Sequence, residues 1–223
     1  MVKNYLAILD YDMPLIWCNG AGVSDFGGKI LHLEEIEVSK IRSVIDIARA
    51  HGLVYVAYSF EAVISETRHE RVLWMEDYNF GVDNEHKAKI IIDENLYENI
   101  DQHRIVKMFI SSNNPDELED IRDVINKDID GVEAVLSQKH ILDVVNKGVT
   151  KGNAVLALAK RFNIDPKEVI AIGDNHNDLS MLRVCGLPLT LENGEDVVKE
   201  VSEYIVRDNN SSGVAHAIGK FIL

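Results

Sequence analysis

The chain has 223 residues, 46% hydrophobic and 27% charged, enough for one large domain or two modest ones with ordinary cores. Its net charge of -14 opposes binding to nucleic acid or an anionic membrane, and its lysines and arginines are dispersed rather than gathered in a basic patch. No apolar run approaches the ~20 residues of a membrane span, no signal-peptide pattern opens the chain, and two cysteines, Cys18 and Cys185, cannot build a disulfide framework, so a reducing cytoplasm is the expected compartment.

The first nine residues, MVKNYLAIL, place Val2, Tyr5, Leu6 and Leu9 at helical spacing, and Asp10 and Asp12 follow. The run PLIWC, Pro14 to Cys18, reads as a buried strand closed by the turn formers Asn19 and Gly20. GVSDFGGKILHL then predicts a hairpin turning at Gly27-Gly28. SKIRSVIDIARAHG sets Ile41, Val44, Ile45 and Ala48 on one helical face, with Gly52 as its stop. LVYVAYSF and RIVKMFIS are strands rich in β-branched and aromatic residues. In NNPDELEDIRDVINK a helix is capped by Asn114, with Pro115 at its first position, Glu117 completing a capping box, and Leu118, Ile121, Val124 and Ile125 as its stripe.

From residue 131 the order becomes strand, strand, helix, strand, helix, strand, helix, then a last strand YIV and a last helix GVAHAIGKFI. EVIAIGD is a continuous apolar run of the kind a parallel strand buried on both faces carries. The last third is therefore α/β with a parallel sheet. The middle mixes strands and helices as a separate α+β module. It reads as inserted, because PLIWC before it has the same apolar character as the strands after it. The expected organisation is core over 1–24, an inserted module over 25–143, and core again over 144–223.

The strongest chemical signal is VIAIGDNHNDLSML. Gly173 and Asp174 end a buried strand and a helix starts within a few residues. In open α/β sheets ligands bind beyond the carboxyl ends of the strands. Asp174 and Asp178, with Asn175 and Asn177 beside them, could orient around one hard cation. Magnesium keeps several waters and needs only one or two carboxylates. The plain alternative is that Asn177 caps the helix and Asp178 answers its dipole. The second signal is Lys151 in GVTKGNAV. A helix start disfavours a cation, and a following glycine weakens the helix, so the pair makes sense where an anion approaches closely. The alternative is a surface lysine at a loop-helix junction. The histidines show no ligand spacing, and His176 reads as solvent-facing.

GVTKGNAV, VIAIGDNHNDLSML and NNSSGVAHAI, in that order, with PLIWCNGAGVSD upstream, together resemble the haloacid-dehalogenase-like (HAD) phosphatases of the Cof-type branch, subfamily IIB. The resemblance covers nearly the whole chain. Asn175 stands where that branch more often has glycine. The resemblance implies a Rossmann-like core, a parallel sheet with helices on both faces, and an inserted α+β cap. It implies magnesium-dependent hydrolysis of a small, sugar-type phosphate through an aspartyl-phosphate. Lys151 would hold the phosphoryl group and the nucleophile. Asp174 would bind the metal, Asp178 would support the metal or the lysine, and Asn177 would hydrogen-bond nearby.

The same family carries an Asp-x-Asp-Gly-Thr motif at the end of its first strand, nucleophile first and acid/base second. Asp10 and Asp12 are candidates for that pair. Against them, Met13 and Pro14 replace Gly-Thr, no second strand follows before the NGA strand, and MVKNYLAIL has helical spacing. MVKNYLAIL better matches the helix that precedes the NGA strand in this family. The expectation is then a Cof-type chain without its first strands and nucleophile motif, impaired in turnover. Its exposed edges would be covered by a second copy or by a complementing N-terminal segment. A non-catalytic binding or interaction module is the competing reading. On either reading the partner is a small phosphorylated metabolite, with no nucleic acid and no membrane.

Overall fold

The computed structural model describes residues 13–25, 27–84 and 87–223. The helix expected over 1–9 and the turn holding Asp10 and Asp12 lie outside the described residues. The chain divides into two compact units, 1–147 and 148–223.

The first unit opens with a small antiparallel sheet, β1 (Leu15–Trp17), β2 (Gly22–Ser24) and β3 (Ile30–Leu33). The predicted hairpin is present, with Gly28 at φ 87° in its turn. The apolar run at Pro14–Cys18 had suggested a strand of the parallel core. Leu15–Trp17 instead pairs antiparallel with Gly22–Ser24, and its three residues are half-buried. A short apolar run does not by itself distinguish these two settings.

The rest of this unit is a six-stranded sheet in the order β6-β5-β4-β7-β9-β8: β4 (Val54–Ser59), β5 (Val63–Ser65), β6 (Ile90–Ile92), β7 (Ile105–Ser111), β8 (Val132–Gln138) and β9 (Ile141–Asn146). Only β5 and β6 run parallel. One face carries the main core, where Ile41, Val44, Ile45 and Ala48 of α1 (Val38–Ala50) and Leu118, Ile121 and Ile125 of α4 (Pro115–Asp128) pack on Tyr55, Ala57, Met108, Ile110, Leu142 and Val144. The strand residues alternate, as a period of two requires. A short α3 (Leu96–Asn99) lies on the same core. The opposite face is more sparsely covered, with Met75 of α2 (Glu70–Phe80) on Val56, Val63 and Phe109.

Asn114 caps α4 through Asp116 N–H at 3.2 Å, as expected. Glu117 does not close the capping box: it accepts instead from Ser112 Oγ at 2.6 Å. Val124 of the predicted stripe is 36% exposed, one position beyond the packed face.

On the sparsely covered face, β1 ends in a left-handed pair, Cys18 at φ 48° and Asn19 at φ 57°. Such a turn costs strain in residues with a Cβ. It is held by Asn19 Nδ2 donating to Asp143 Oδ2 at 2.9 Å. Lys107 Nζ lies 2.9 Å from the other oxygen of Asp143 and 4.8 Å from the Tyr58 ring centre. Both members of this ion pair are largely buried.

The second unit is the α/β arrangement expected for the C-terminal third. A parallel sheet, β10 (Ile170–Gly173), β11 (Leu187–Leu191) and β12 (Tyr204–Val206), has helices on both faces. Ala171 packs with Leu179 and Leu182 of α6 (Leu179–Leu182) and Val198 of α7 (Asp196–Val201). Leu189, Leu191 and Val206 pack with Ala217 of α8 (Gly213–Phe221) on the other face. The first helix of the unit, α5 (Lys151–Phe162), lies against α6. This topology puts the carboxyl ends of three strands on one edge, the place where such sheets take ligands.

Candidate active site

Lys151 is the first residue of α5. Thr150 caps the helix, its hydroxyl accepting from Asn153 N–H at 3.1 Å. The ammonium forms an ion pair and hydrogen bond with Asp178 Oδ1. Asp178 is buried, and its second oxygen accepts from the backbone N–H of Asp174 at 3.0 Å and of Asn175 at 3.1 Å. One carboxylate thus joins the helix that carries the lysine to the loop at the end of β10.

That loop is tightly built. A single 3-10 turn over His176–Asp178 follows β10, with Asn175 as its cap: Asn175 Oδ1 accepts from His176 N–H at 2.7 Å. The sequence had offered Asn177 for this role. Asn177 is half-buried within the turn, and His176 is exposed, as expected. Gly173 lets Asp178 fold back against the strand end, since a Cβ at 173 would stand 2.5 Å from the Asp178 Cβ. The loop also ties to the start of α7, through Glu195 N–H donating to Asp174 O at 3.0 Å.

Gly152 has a structural reason that differs from the expected one. Its missing side chain was read as room for an anion. A Cβ there would instead collide with the Ser180 carbonyl, and Gly152 N–H donates to Ser180 Oγ at 3.1 Å. Glycine is needed for helix-to-helix approach. Ser180 was not singled out in the sequence. Its only signal was a small polar residue two places after Asp178.

Of the four predicted residues, Lys151, Asp178 and the Asp174 backbone are joined by hydrogen bonds, and Asn177 lies in the same turn. The Asp174 side chain is exposed at the strand tip, with no hydrogen bond or ion pair to a described residue. Asp178 has both oxygens occupied by protein donors. The two carboxylates are therefore in different states: one is engaged inside the fold and one is open. No group of three His, Cys, Asp or Glu side chains able to hold a metal occurs among the described residues. The open Asp174 oxygens fit a hard cation that keeps most of its waters, as magnesium does. Asp10 and Asp12 lie outside the described residues.

A protein of Streptococcus pyogenes serotype M6 is 34% identical over 155 residues, which are 68% of this chain and 57% of that protein, so this chain spans little more than half of that relative's length. The 5-amino-6-(5-phospho-D-ribitylamino)uracil phosphatase YwtE of Bacillus subtilis is 24% identical over 96% of this chain and 80% of its own. The solved structure of a haloacid dehalogenase-like hydrolase from B. subtilis superposes with a TM-score of 0.84 at 22% identity, over all of this chain and 84% of that one. The family model for haloacid dehalogenase-like hydrolases matches residues 1–218. The chain belongs to the haloacid dehalogenase-like hydrolases.

Proposed function

We propose that the chain serves the hydrolysis of a small phosphate monoester, of the sugar-phosphate type, with magnesium as its cofactor. The observation that carries this reading is the Lys151–Asp178 pair anchored to the backbone of Asp174. It ties the lysine at the start of α5 to the strand-end loop that carries an open carboxylate, and a phosphoryl group with its counter-cation needs both. Bound magnesium would supply charge neutralisation at the phosphoryl oxygens. Asp174 would hold it, with water completing its shell.

In this reading Lys151 binds a phosphoryl oxygen as a point charge. Asp178 fixes the position of that ammonium. It is not the nucleophile, because its oxygens are already engaged by the lysine and two amides. Asn177 contributes a polar contact at the same turn. Covalent transfer needs a free carboxylate in line with phosphorus, and Asp10, with Asp12 as acid/base, is the candidate the chain offers for it. Residues 25–143 act as the inserted cap and select the group that leaves with the ester oxygen. The name of the B. subtilis relative supports a phosphorylated polyol or sugar as that group. We place the protein in the cytoplasm, working on a small metabolite without nucleic acid or membrane. Among the described residues no helix is long and apolar enough to cross one.

The test is phosphate release from a panel of sugar and polyol phosphates, with magnesium and with chelator. Turnover that needs magnesium and is lost in Lys151→Met and Asp174→Ala supports the reading, and its loss in Asp10→Asn identifies the nucleophile. Magnesium-dependent turnover that survives Lys151→Met overturns the assignment of the site. No turnover, with or without magnesium, alongside binding of these phosphates favours a binding module, and neither turnover nor binding overturns the reading.

A further inference from the structure

A groove of about 990 Å³ lies on the sparsely covered face of the six-stranded sheet of the first unit, at the N-terminal ends of β4 and β9. It is built by the first unit alone. Its floor and wall include Phe109 of β7 with Arg71 and Trp74 of α2, and Lys139 stands at its rim.

Arg49, Arg68, Arg104 and Arg122 each bind a carboxylate side chain. Arg71 binds none among the described residues. Its guanidinium carbon lies 4.5 Å from the Trp74 ring centre and 5.0 Å from that of Phe109. Its Nε donates to Tyr58 Oη at 3.3 Å. Stacking on two rings and one hydrogen bond fix the guanidinium plane and leave the terminal nitrogens for a further partner. A fixed planar fork with open donors matches a carboxylate. Trp74, three residues along the same helix face, is 48% exposed and offers an apolar ring surface beside it. Glu70 and Glu117 also border the groove, and Glu117 is occupied by Ser112. Their charge favours a monoanion over a dianion.

We propose that this groove binds a small aromatic carboxylate, its acid group on Arg71 and its ring against Trp74. The proposal rests on residues of the first unit alone and not on the phosphate chemistry proposed above.

The experiment titrates the full chain with 4-fluorobenzoate, followed by fluorine NMR, with 4-fluorobenzyl alcohol and acetate as ring-only and charge-only controls. Expected is saturable binding with Kd ~1 mM, as suits about ten heavy atoms. Both controls bind at least about tenfold more weakly. Arg71→Gln and Trp74→Ala each weaken 4-fluorobenzoate about tenfold while the circular dichroism spectrum is kept, and Arg71→Lys falls between. Quenching of fluorescence by the ligand in the wild type, absent in Trp74→Phe, places the ring at that residue. No saturation by about 20 mM overturns the proposal. So does equal binding by the folded Arg71→Gln chain, or binding of the alcohol as tight as that of the acid.

Discussion

Gly173 and Asp178 are packed so closely that a methyl group on the glycine would stand 2.5 Å from the aspartate Cβ and 2.9 Å from its carboxyl carbon. Both atoms belong to a buried side chain held by three donors, so neither can retreat without loss.

Gly173→Ala should therefore destabilise the second unit by about 1–3 kcal/mol, the usual cost of forced overpacking, and lower phosphate turnover further than the stability loss explains. Gly219→Ala is the control. It lies in α8 with open space around its would-be Cβ. Replacing a helical glycine there should raise stability by about 0.5–1 kcal/mol. Urea midpoints of the two variants should move in opposite directions.

The Lys151–Asp178 pair should behave asymmetrically. Asp178→Ala strips three donors of one acceptor and should cost about 3 kcal/mol or more. Lys151→Met leaves the carboxylate its two backbone N–H donors and should cost less. The double variant should be less destabilised than the sum of the singles. Denaturant unfolding of the four proteins measures this. Additive losses would mean that the two side chains do not act as one unit.

The catalytic-looking residues were legible because they sit in one short window. Gly173 to Asp178 spans a strand end, a turn and a helix start, and local spacing carries that information. Lys151 was found because a cation and a glycine at a helix start both work against the helix. What spacing could not show was the partner. Gly152 was assigned to an anion, when the Ser180 backbone lies against it. The helix Glu70–Phe80 was not legible as a helix because only Val72 and Met75 are buried, while Leu73, Trp74 and Phe80 are exposed, so no apolar stripe forms. The short strands Val63–Ser65 and Ile90–Ile92 carry too few residues for a period. The Lys107–Asp143 pair joins residues of two different strands, and only the sheet register brings them together.

The two thiols should react in a fixed order. Burial pushes the Cys18 thiol up to about 11 from an ordinary 9.0, against the opposing pull of Lys107. Burial also raises Cys185, though to a lesser extent. Since the thiolate is the nucleophile, iodoacetamide near pH 8 should label Cys185 first, as read by peptide mass spectrometry. Cys18 keeps its proton in the folded state at pH values where the unfolded thiol has lost it. Its contribution to stability is therefore present below about pH 9 and disappears as pH rises toward 11. Cys18→Ser should flatten that part of the stability curve. Faster labelling of Cys18 in the folded chain would contradict the order.

The Lys107–Asp143 pair supplies the sharpest test of the first unit. Burial works to lower the lysine pKa, but the Asp143 charge, aided by Cys18, outweighs it, so Lys107 is raised above its ordinary 10.5. The contribution of a cation held this way is complete below about pH 10.5 and is lost as pH rises through the higher folded value. Asp143 gets one well-formed hydrogen bond, from Asn19, on one oxygen; the lysine contact to the other is close but poorly aligned for a hydrogen bond. Lys107→Met should therefore leave a buried carboxylate poorly compensated and cost about 3–5 kcal/mol, while Lys107→Met with Asp143→Leu should recover most of that loss, because two well-packed apolar side chains avoid the desolvation that the ion pair must overcome. Thermal unfolding at pH 7 and again above pH 10.5 separates the terms: the wild type should lose stability across that interval and Lys107→Met should lose less. A double variant no more stable than Lys107→Met would show that the Cys18–Asn19 turn needs the Asp143 oxygen more than the lysine needs its charge.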